Sequence, residues 1–260
     1  MITLDFYQVD SFTNKLFRGN PAGVIFNSEL SDSQMQKIAL ENNLSETAFI
    51  ESKDNGFFIK WFSPLMEIDL CGHATLAAAH IYFTEIDTKA NKINFNSKSG
   101  ILNVYKDDDF LYLDFPSDNI KKIDIDESLI EMIGEKPIEA FKGRDDLMCI
   151  FNDELSIKSM NPNLDILKTY PVRGLIISAE SADYDFISRC FFPITGVDED
   201  PVTGSAHTSL TPYWCNKLNK DTLFAKQVSA RGGEIKCRLD GDRVILGGQA
   251  VTYMKGTIVI

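Results

Sequence analysis

The sequence lacks several features that would point to particular classes of protein. Its cysteines are odd in number, scattered and never arranged as CxxC: Cys71, Cys149, Cys190, Cys215 and Cys237. This usage favours reduced thiols in the cytoplasm over a disulfide framework. No apolar run is long enough to span a bilayer, and the first residues show neither the basic nor the apolar region of a signal peptide. We therefore expect no membrane partner.

Positive charge is also scarce. The chain has 26 Lys and Arg residues against 38 Asp and Glu residues, a formal net charge of −12. Nucleic acids and anionic membranes need clustered Lys and Arg, so neither is expected as a partner. A small anionic metabolite needs only a local positive field and is compatible with this charge. The 260 residues, 44% hydrophobic and 25% charged, are typical of a globular protein of one or two domains.

Local patterns predict alternating strands and helices. Ser31 and Gln34 form a capping-box pattern at the start of a helix. Residues 101–115 alternate apolar and polar positions around an acidic turn, which predicts a hairpin. The polar stretch 116–136 is the candidate linker. The other predictions are strands at 2–9, 23–27, 47–51 and 57–62, and a helix at about 73–84.

Two segments of the chain resemble each other. Residues 57–83 and 186–214 each contain an aromatic strand, a proline, an acidic turn and a glycine that opens a helix. A strand–acidic turn–strand unit follows each segment at the same spacing, from Gly72 to Ser97 and from Gly204 to Ser229. The matched order and spacing predict a duplication.

The first of these helices is apolar or small on nearly its whole circumference, so strands must cover most of it. Pro212 is expected to shorten or kink the second helix. We predict an α+β protein of two pseudo-symmetric halves, each a curved mixed sheet or barrel around a central helix. The N-terminal half is 1–116, and the C-terminal half is 117–260. The last strand, near 250–260, is expected to pack back onto the N-terminal half. The active site is expected in the cleft between them.

Five ordered motifs, from the first strand to the last residue, make the sequence resemble the PhzF-like family of phenazine biosynthesis proteins, which has the diaminopimelate epimerase fold. They are GNPAGV (19–24), LSETAFI (44–50), DLCGHATLAAAH (69–80), GVDEDPVTGSAH (196–207) and GGQAVTYMKGTIVI (247–260). The resemblance implies two similar halves, an active site between them, no cofactor and a homodimer.

The resemblance also implies the chemistry. Glu46 matches the acid/base of the family, and His73 and Asp200 match residues that assist it. A carboxylate in a water-poor site is suited to take and return a proton. The expected activity is a cofactor-independent isomerisation that moves a proton on a small carboxylated metabolite, amino- or hydroxyl-bearing and possibly cyclic.

Substrate contacts are expected from residues beside these three. Glycine at a helix start admits a ligand close to free backbone N–H groups, which bind anions. Ser205 could instead be a plain N-cap, and Asp198 and Glu199 are interpreted as solvated turn charges. The predicted substrate-binding residues are Asn20, Ser45, Gly72, Thr203, Gly204 and Ser205, with no metal ligand among them.

Other functions are weighed on the same residues. An epimerase or racemase of this fold would need two thiols, but Thr203 stands where the partner of Cys71 would be. A thiol hydrolase would need Cys71 and His73 within reach, and their spacing predicts that they point apart. A metal enzyme could use the acidic run 198–200, but no phosphate-binding fingerprint accompanies it. A ligand-binding or regulatory protein on the same scaffold remains the main alternative.

Overall fold

The computed structural model describes residues 1–27, 29–53 and 56–260, and within them it contains eighteen strands and six α-helices. The strands are β1 (Thr3–Ser11), β2 (Asn20–Phe26), β3 (Glu46–Lys53), β4 (Gly56–Phe62), β5 (Glu67–Ile68), β6 (Lys92–Ser97), β7 (Gly100–Asp107), β8 (Phe110–Pro116), β9 (Lys121–Ile123), β10 (Glu139–Lys142), β11 (Leu147–Ile150), β12 (Leu175–Glu180), β13 (Phe186–Phe192), β14 (Val197–Asp200), β15 (Thr222–Gln227), β16 (Gly233–Asp240), β17 (Arg243–Gly248) and β18 (Ala250–Val259). The helices are α1 (Asp32–Asn42), α2 (Gly72–Ile81), α3 (Glu127–Ile133), α4 (Glu154–Ser159), α5 (Leu164–Thr169) and α6 (Gly204–Leu218).

The chain forms two compact units. The first contains Met1–Asp114 and Leu246–Ile260, and the second contains Phe115–Ile245. None of the helices in the described ranges is both long enough and apolar enough to cross a membrane.

The first unit is a mixed sheet. Strand β1 pairs antiparallel with β18 and β2, β2 pairs parallel with β3, and β3 pairs antiparallel with β4. Strand β4 continues antiparallel to β5 and parallel to β6, which begins the antiparallel series β6–β7–β8. The predicted strands and hairpin of this unit are confirmed.

Helix α2 is buried as predicted. Every residue from Ala74 to Ala79 is fully buried, and the helix contacts β1, β2, β3 and β18. Burying apolar surface on all sides leaves such a helix no solvent face, so strands cover it on several sides. Its last turn widens into a short π-helix, Tyr82–Ile86.

Strand pairings in the second unit mix parallel and antiparallel neighbours. The series β9–β10–β11 is antiparallel, β11 and β12 are parallel, and β12 and β13 are antiparallel. Strand β13 pairs antiparallel with β14 and parallel with β15, and β15 pairs antiparallel with β16. Helix α6 connects β14 to β15 and contacts β15 and β16.

The predicted linker at 116–136 is wrong. This stretch contains β9 and α3, and α3 buries Leu129, Met132 and Ile133 in the core of the second unit. Asp126 caps the start of α3 and Gly134 ends it in the left-handed conformation. The helix is only seven residues long, too short for its apolar positions to stand out among the surrounding charges.

Pro212 does not shorten α6, which continues through it to Leu218. A proline has no N–H, so the carbonyl four residues earlier, that of Thr208, loses its partner within the helix. The backbone N–H of Asp118 donates to that carbonyl at 3.1 Å. The helix therefore continues because another segment supplies the missing donor.

The capping box of α1 provides a test of local sequence signals. The Ser31 side chain accepts from the N–H of Gln34, and the Gln34 side chain accepts from the N–H of Ser31. We expect Ser31→Ala to lower the free energy of unfolding by about 1 kcal/mol, because the N–H of Gln34 loses its side-chain acceptor. Urea denaturation measures the change. The control Ser33→Ala lies exposed on the same helix, and an equal loss there would contradict the assignment.

Candidate active site

The start of helix α2 brings an acid and a base together. Cys71 is the N-cap residue, and its side chain makes no capping hydrogen bond. His73 lies in the first turn, with its Nε2 atom 3.0 Å from Oε2 of Glu46. The His73 side chain is 7% exposed and that of Glu46 is 15% exposed. Neither atom has a well-aligned hydrogen-bond partner, so their contact is an ion pair rather than an ideal hydrogen bond.

Parallel pairing of β2 and β3 fixes where Glu46 lies. Ala22 of β2 is in register with Glu46, the first residue of β3. Because the strands are parallel, the beginning of β2 lies at the same edge of the sheet as Glu46. Asn20 is the first residue of β2 and is fully buried.

Asn20 contacts the other side of the His73 ring, with its Nδ2 atom 3.2 Å from Nδ1 of His73. Gly19 makes the turn before it at a φ of +66°, where an added Cβ would lie 2.1 Å from the carbonyl oxygen of Ser11. The hydroxyl of Ser11 donates to the carbonyl of His73 at 2.8 Å. The GNPAGV motif thus positions His73, and only glycine fits its first position.

The amide of Asn20 is suited to both protonation states of His73. Its nitrogen donates to Nδ1 when the imidazole is neutral. Its oxygen, after the amide turns over, accepts from Nδ1–H when the ring is charged. An amide at this position therefore does not prevent His73 from exchanging a proton.

Cys71 also contacts His73. Its Sγ atom is 3.6 Å from Nδ1, so the expectation that these side chains point apart is wrong. Burial raises the pKa of the Cys71 thiol above its ordinary value of 9.0. The thiol therefore stays protonated at neutral pH and lacks the thiolate that a nucleophile needs.

Electrostatics favour the charged form of His73. Burial alone lowers its pKa, but Cys71 and the carboxylate of Glu46 outweigh burial and raise the pKa well above the ordinary 6.5. The Glu46 carboxylate therefore favours the charged form of His73.

Glu46, Cys71 and His73 offer oxygen, sulfur and nitrogen atoms within 4.8 Å of one another, a donor set that Zn²⁺ accepts. Cys71 faces Nδ1, however, whereas Glu46 faces Nε2. The two lone-pair directions of an imidazole diverge, so an ion bound at either nitrogen would lie away from one of the other two ligands. The arrangement does not fit one ion bound by all three side chains.

A second polar cluster lies at the start of helix α6. Thr203 is its N-cap residue and donates from Oγ1 to Oδ2 of Asp200 at 2.6 Å. Gln227, fully buried, accepts from the N–H of Thr203 and donates to the carbonyl of Asp200. Sequence reasoning missed Gln227. Its signal is that Leu223, Ala225 and Gln227 share the inward face of β15, where an amide is out of place among apolar residues.

Gly204 and Ser205 are the first two residues of α6, so Ser205 is not the N-cap. The Ser205 hydroxyl accepts from Nη2 of Arg173 at 3.2 Å. Arg173 also forms two hydrogen bonds with the buried carboxylate of Asp146 and packs over the ring of Phe192. Sequence reasoning missed Arg173, which had no motif to mark it.

The remaining candidates differ in their surroundings. Gly72 is the first residue of α2, and Ser45 precedes β3, partly buried beside Glu46. The interpretation of Glu199 as a solvated charge is wrong, because both of its oxygens bind the guanidinium of Arg189. Asp198 is exposed within β14.

The other two histidines do not join these clusters. His207 directs Nδ1 at the carbonyl of Thr203 at 2.8 Å, so that nitrogen carries the proton. His80 bonds Thr252 through Nε2. Burial lowers the pKa of each to about 4, which keeps both neutral at physiological pH.

The fold is shared with solved structures. The mixed α+β architecture matches a predicted epimerase of Pseudomonas aeruginosa with a TM-score of 0.76, at 16% identity over 99% of both chains. At that identity the likeness shows the fold alone. The expected diaminopimelate epimerase-like fold is confirmed.

The sequence places the chain in a family. A family model described as phenazine biosynthesis-like protein matches residues 9–256. An uncharacterized isomerase of Halalkalibacterium halodurans is 46% identical over 100% of both chains. The crystal structure of a PhzF-family protein from Enterococcus faecalis has a TM-score of 0.96 at 42% identity, over 100% of both chains. The chain belongs to the PhzF family of phenazine biosynthesis-like proteins, and it is an isomerase.

The ion pair between Glu46 and His73 predicts how the pKa of His73 changes when Glu46 is replaced. In Glu46→Gln, the pKa of His73 should fall, because the carboxylate that opposes the effect of burial is gone. NMR of the imidazole nitrogens across pH measures this. His80 and His207, with pKa values near 4, serve as internal references that should not move. An unchanged His73 titration would show that the Glu46 carboxylate does not stabilise the protonated form of His73.

Proposed function

We propose that the protein is a cofactor-independent isomerase that moves a proton on a small carboxylated metabolite, with Glu46 as the single acid/base. The observation that carries the proposal is the 3.0 Å contact between Glu46 and His73 at the start of α2. A largely buried carboxylate beside an imidazole, at the start of a helix, is an arrangement suited to proton transfer at carbon.

The reaction balances without an external reactant. The Glu46 carboxylate takes a proton from a substrate carbon, and the electron pair of the broken C–H bond delocalises into the adjacent unsaturated system. Glu46, now a carboxylic acid, returns the proton to another carbon. The product is an isomer, and the carboxylate is restored.

His73 supports this cycle. Its charged form stabilises the Glu46 carboxylate before the proton is taken. Asn20 holds the ring by Nδ1, which keeps Nε2 directed at Glu46. The start of α2 binds the substrate carboxylate through its backbone N–H groups, and we propose that Asp200, Thr203, Gly204 and Ser205 serve the same reaction.

A two-thiol epimerase is less well supported. The pKa of Cys71 is raised by burial, and the N-cap of α6 is Thr203 rather than a second cysteine. A threonine hydroxyl is far too weak an acid to replace a thiol. One acid/base on one face of the substrate accounts for the residues present.

Deuterium exchange tests the proposal. The protein is incubated in D₂O with a panel of cyclic and amino carboxylates, including dihydro-hydroxyanthranilate, and NMR follows carbon-bound deuterium, substrate loss and new products. We expect turnover of at least one compound, and Glu46→Gln should slow it by about 10²–10⁴-fold, the usual contribution of a general acid/base.

The matched control is Glu51→Gln on the same strand, β3, where the carboxylate pairs with exposed Lys53. This variant should behave as wild type. If compounds bind to the wild-type protein but none exchanges or rearranges, the ligand-binding alternative replaces the isomerase.

Cys71 separates one-base from two-base catalysis. Cys71→Ala should keep turnover within about tenfold of wild type, because the thiol only packs against His73, whereas losing an acid/base costs about 10²–10⁴-fold. The rate with the substrate found above measures the change, and Cys149→Ala, also at a buried thiol, controls for packing. A loss in Cys71→Ala as large as that of Glu46→Gln would favour an epimerase.

A further inference from the structure

The turn that carries Asp200 is held by strand β15 and the residues after it. Gln227 Nε2 donates to the carbonyl of Asp200 at 2.6 Å, and Ser229 Oγ donates to the carbonyl of Pro201 at 2.7 Å. Gln227 Oε1 accepts from the backbone N–H of Thr203 at 2.9 Å. Each end of the turn is therefore fixed by the same buried amide.

The amide of Gln227 is fully used. Its oxygen accepts from Thr203 N–H and from the thiol of Cys190 at 3.7 Å. Its nitrogen donates to the carbonyl of Asp200 and to Oγ1 of Thr203 at 3.2 Å. Two donors and two acceptors exhaust the capacity of a glutamine side chain. The amide therefore has one orientation. If it were turned over, its NH₂ group would face the N–H of Thr203, and two donors would oppose each other.

That orientation fixes the hydroxyl of Thr203. The amide nitrogen of Gln227 only donates, so Oγ1 accepts from it and directs its own hydrogen elsewhere. The hydrogen lies toward Oδ2 of Asp200 at 2.6 Å, the distance of a strong charge-assisted bond. Asp200 Oδ2 is consequently an acceptor.

We propose that Gln227, acting through Thr203, is the positioning residue of Asp200, and that it reserves Oδ2 as an acceptor so that any proton the carboxyl carries is on Oδ1. The inference rests on the proposed function for its catalytic consequence. Thr203 is then part of the machinery that orients a carboxylate, rather than only the structural counterpart of Cys71.

The simpler explanation is that Gln227 only stabilises the turn. A purely structural role requires the bonds to the backbone of Asp200 and Thr203, but it does not require the Thr203 hydroxyl. The hydroxyl makes no capping hydrogen bond to α6. Removing the hydroxyl alone therefore separates positioning from stability.

The experiment compares Thr203→Val, which removes the hydroxyl at nearly constant shape, with Thr203→Ser, which retains it. Thr211→Val is the matched control, because Thr211 is also buried on α6 and its hydroxyl donates to the carbonyl of His207. With the substrate identified by deuterium exchange, we expect Thr203→Val to lower kcat by about 10- to 100-fold with little change in KM. Thr203→Ser should restore most of the rate.

A second measurement needs no substrate. In protein labelled with ¹³C at the aspartate carboxyls, the Asp200 resonance is identified by its absence from Asp200→Asn. It should shift in Thr203→Val and in Gln227→Met, and stay in place in Thr203→Ser and Thr211→Val. Thermal unfolding of each variant confirms that it is folded.

The outcomes are distinct. An Asp200 resonance that is the same in Thr203→Val and wild type overturns the inference, whatever the activity. A shifted resonance with an unchanged kcat also overturns it, because the orientation would then have no consequence. If no compound reacts with the wild-type protein, the proposed function fails, and the resonance still decides whether Thr203 holds Oδ2.

Discussion

Burial of helix α2 is the constraint on which the first unit depends. With apolar or small side chains on every face, the helix is stable only where strands surround it, and those strands determine which residues meet at its first turn. Parallel pairing brings the beginnings of β2 and β3 to one edge, so that Asn20 and Glu46 lie on the two sides of His73. The acid–base pair is thus a product of packing that the helix itself requires.

The first turns of α2 and α6 have different groups beside them. Neither N-cap residue uses its own side chain to cover the N–H groups of the first turn. At α2 the neighbouring groups are an imidazole and a carboxylate, whereas at α6 they are a hydroxyl and an amide. The N–H groups of a first helical turn cost stability when they lack partners, so both helix starts depend on groups other than an N-cap side chain.

Patterns of several residues predicted much of the fold. The capping box at Ser31 and the all-apolar sequence of α2 were sufficient, because each is set by contacts within or around one element. The short elements α3 and β9 were not predicted. They are stabilised by packing against distant strands, and seven or three residues are too few to show a periodic pattern. The contact of Cys71 with His73 and the buried amide of Gln227 also depend on long-range placement, and local spacing misjudged the first and gave no reason to choose the second.

The proline within α6 links two distant parts of the chain. The backbone N–H of Asp118 donates to the carbonyl of Thr208, and the Asp118 carboxylate also accepts from Ser209 one residue further along the helix. The two sites are therefore expected to covary: a relative without a proline at the position of 212 has no need of the donor at 118, and that segment is free to diverge in length. A designer who moves the chain termini by circular permutation should keep residue 118 inside the chain, since a new end there would remove the donor of a helix carbonyl in the second unit.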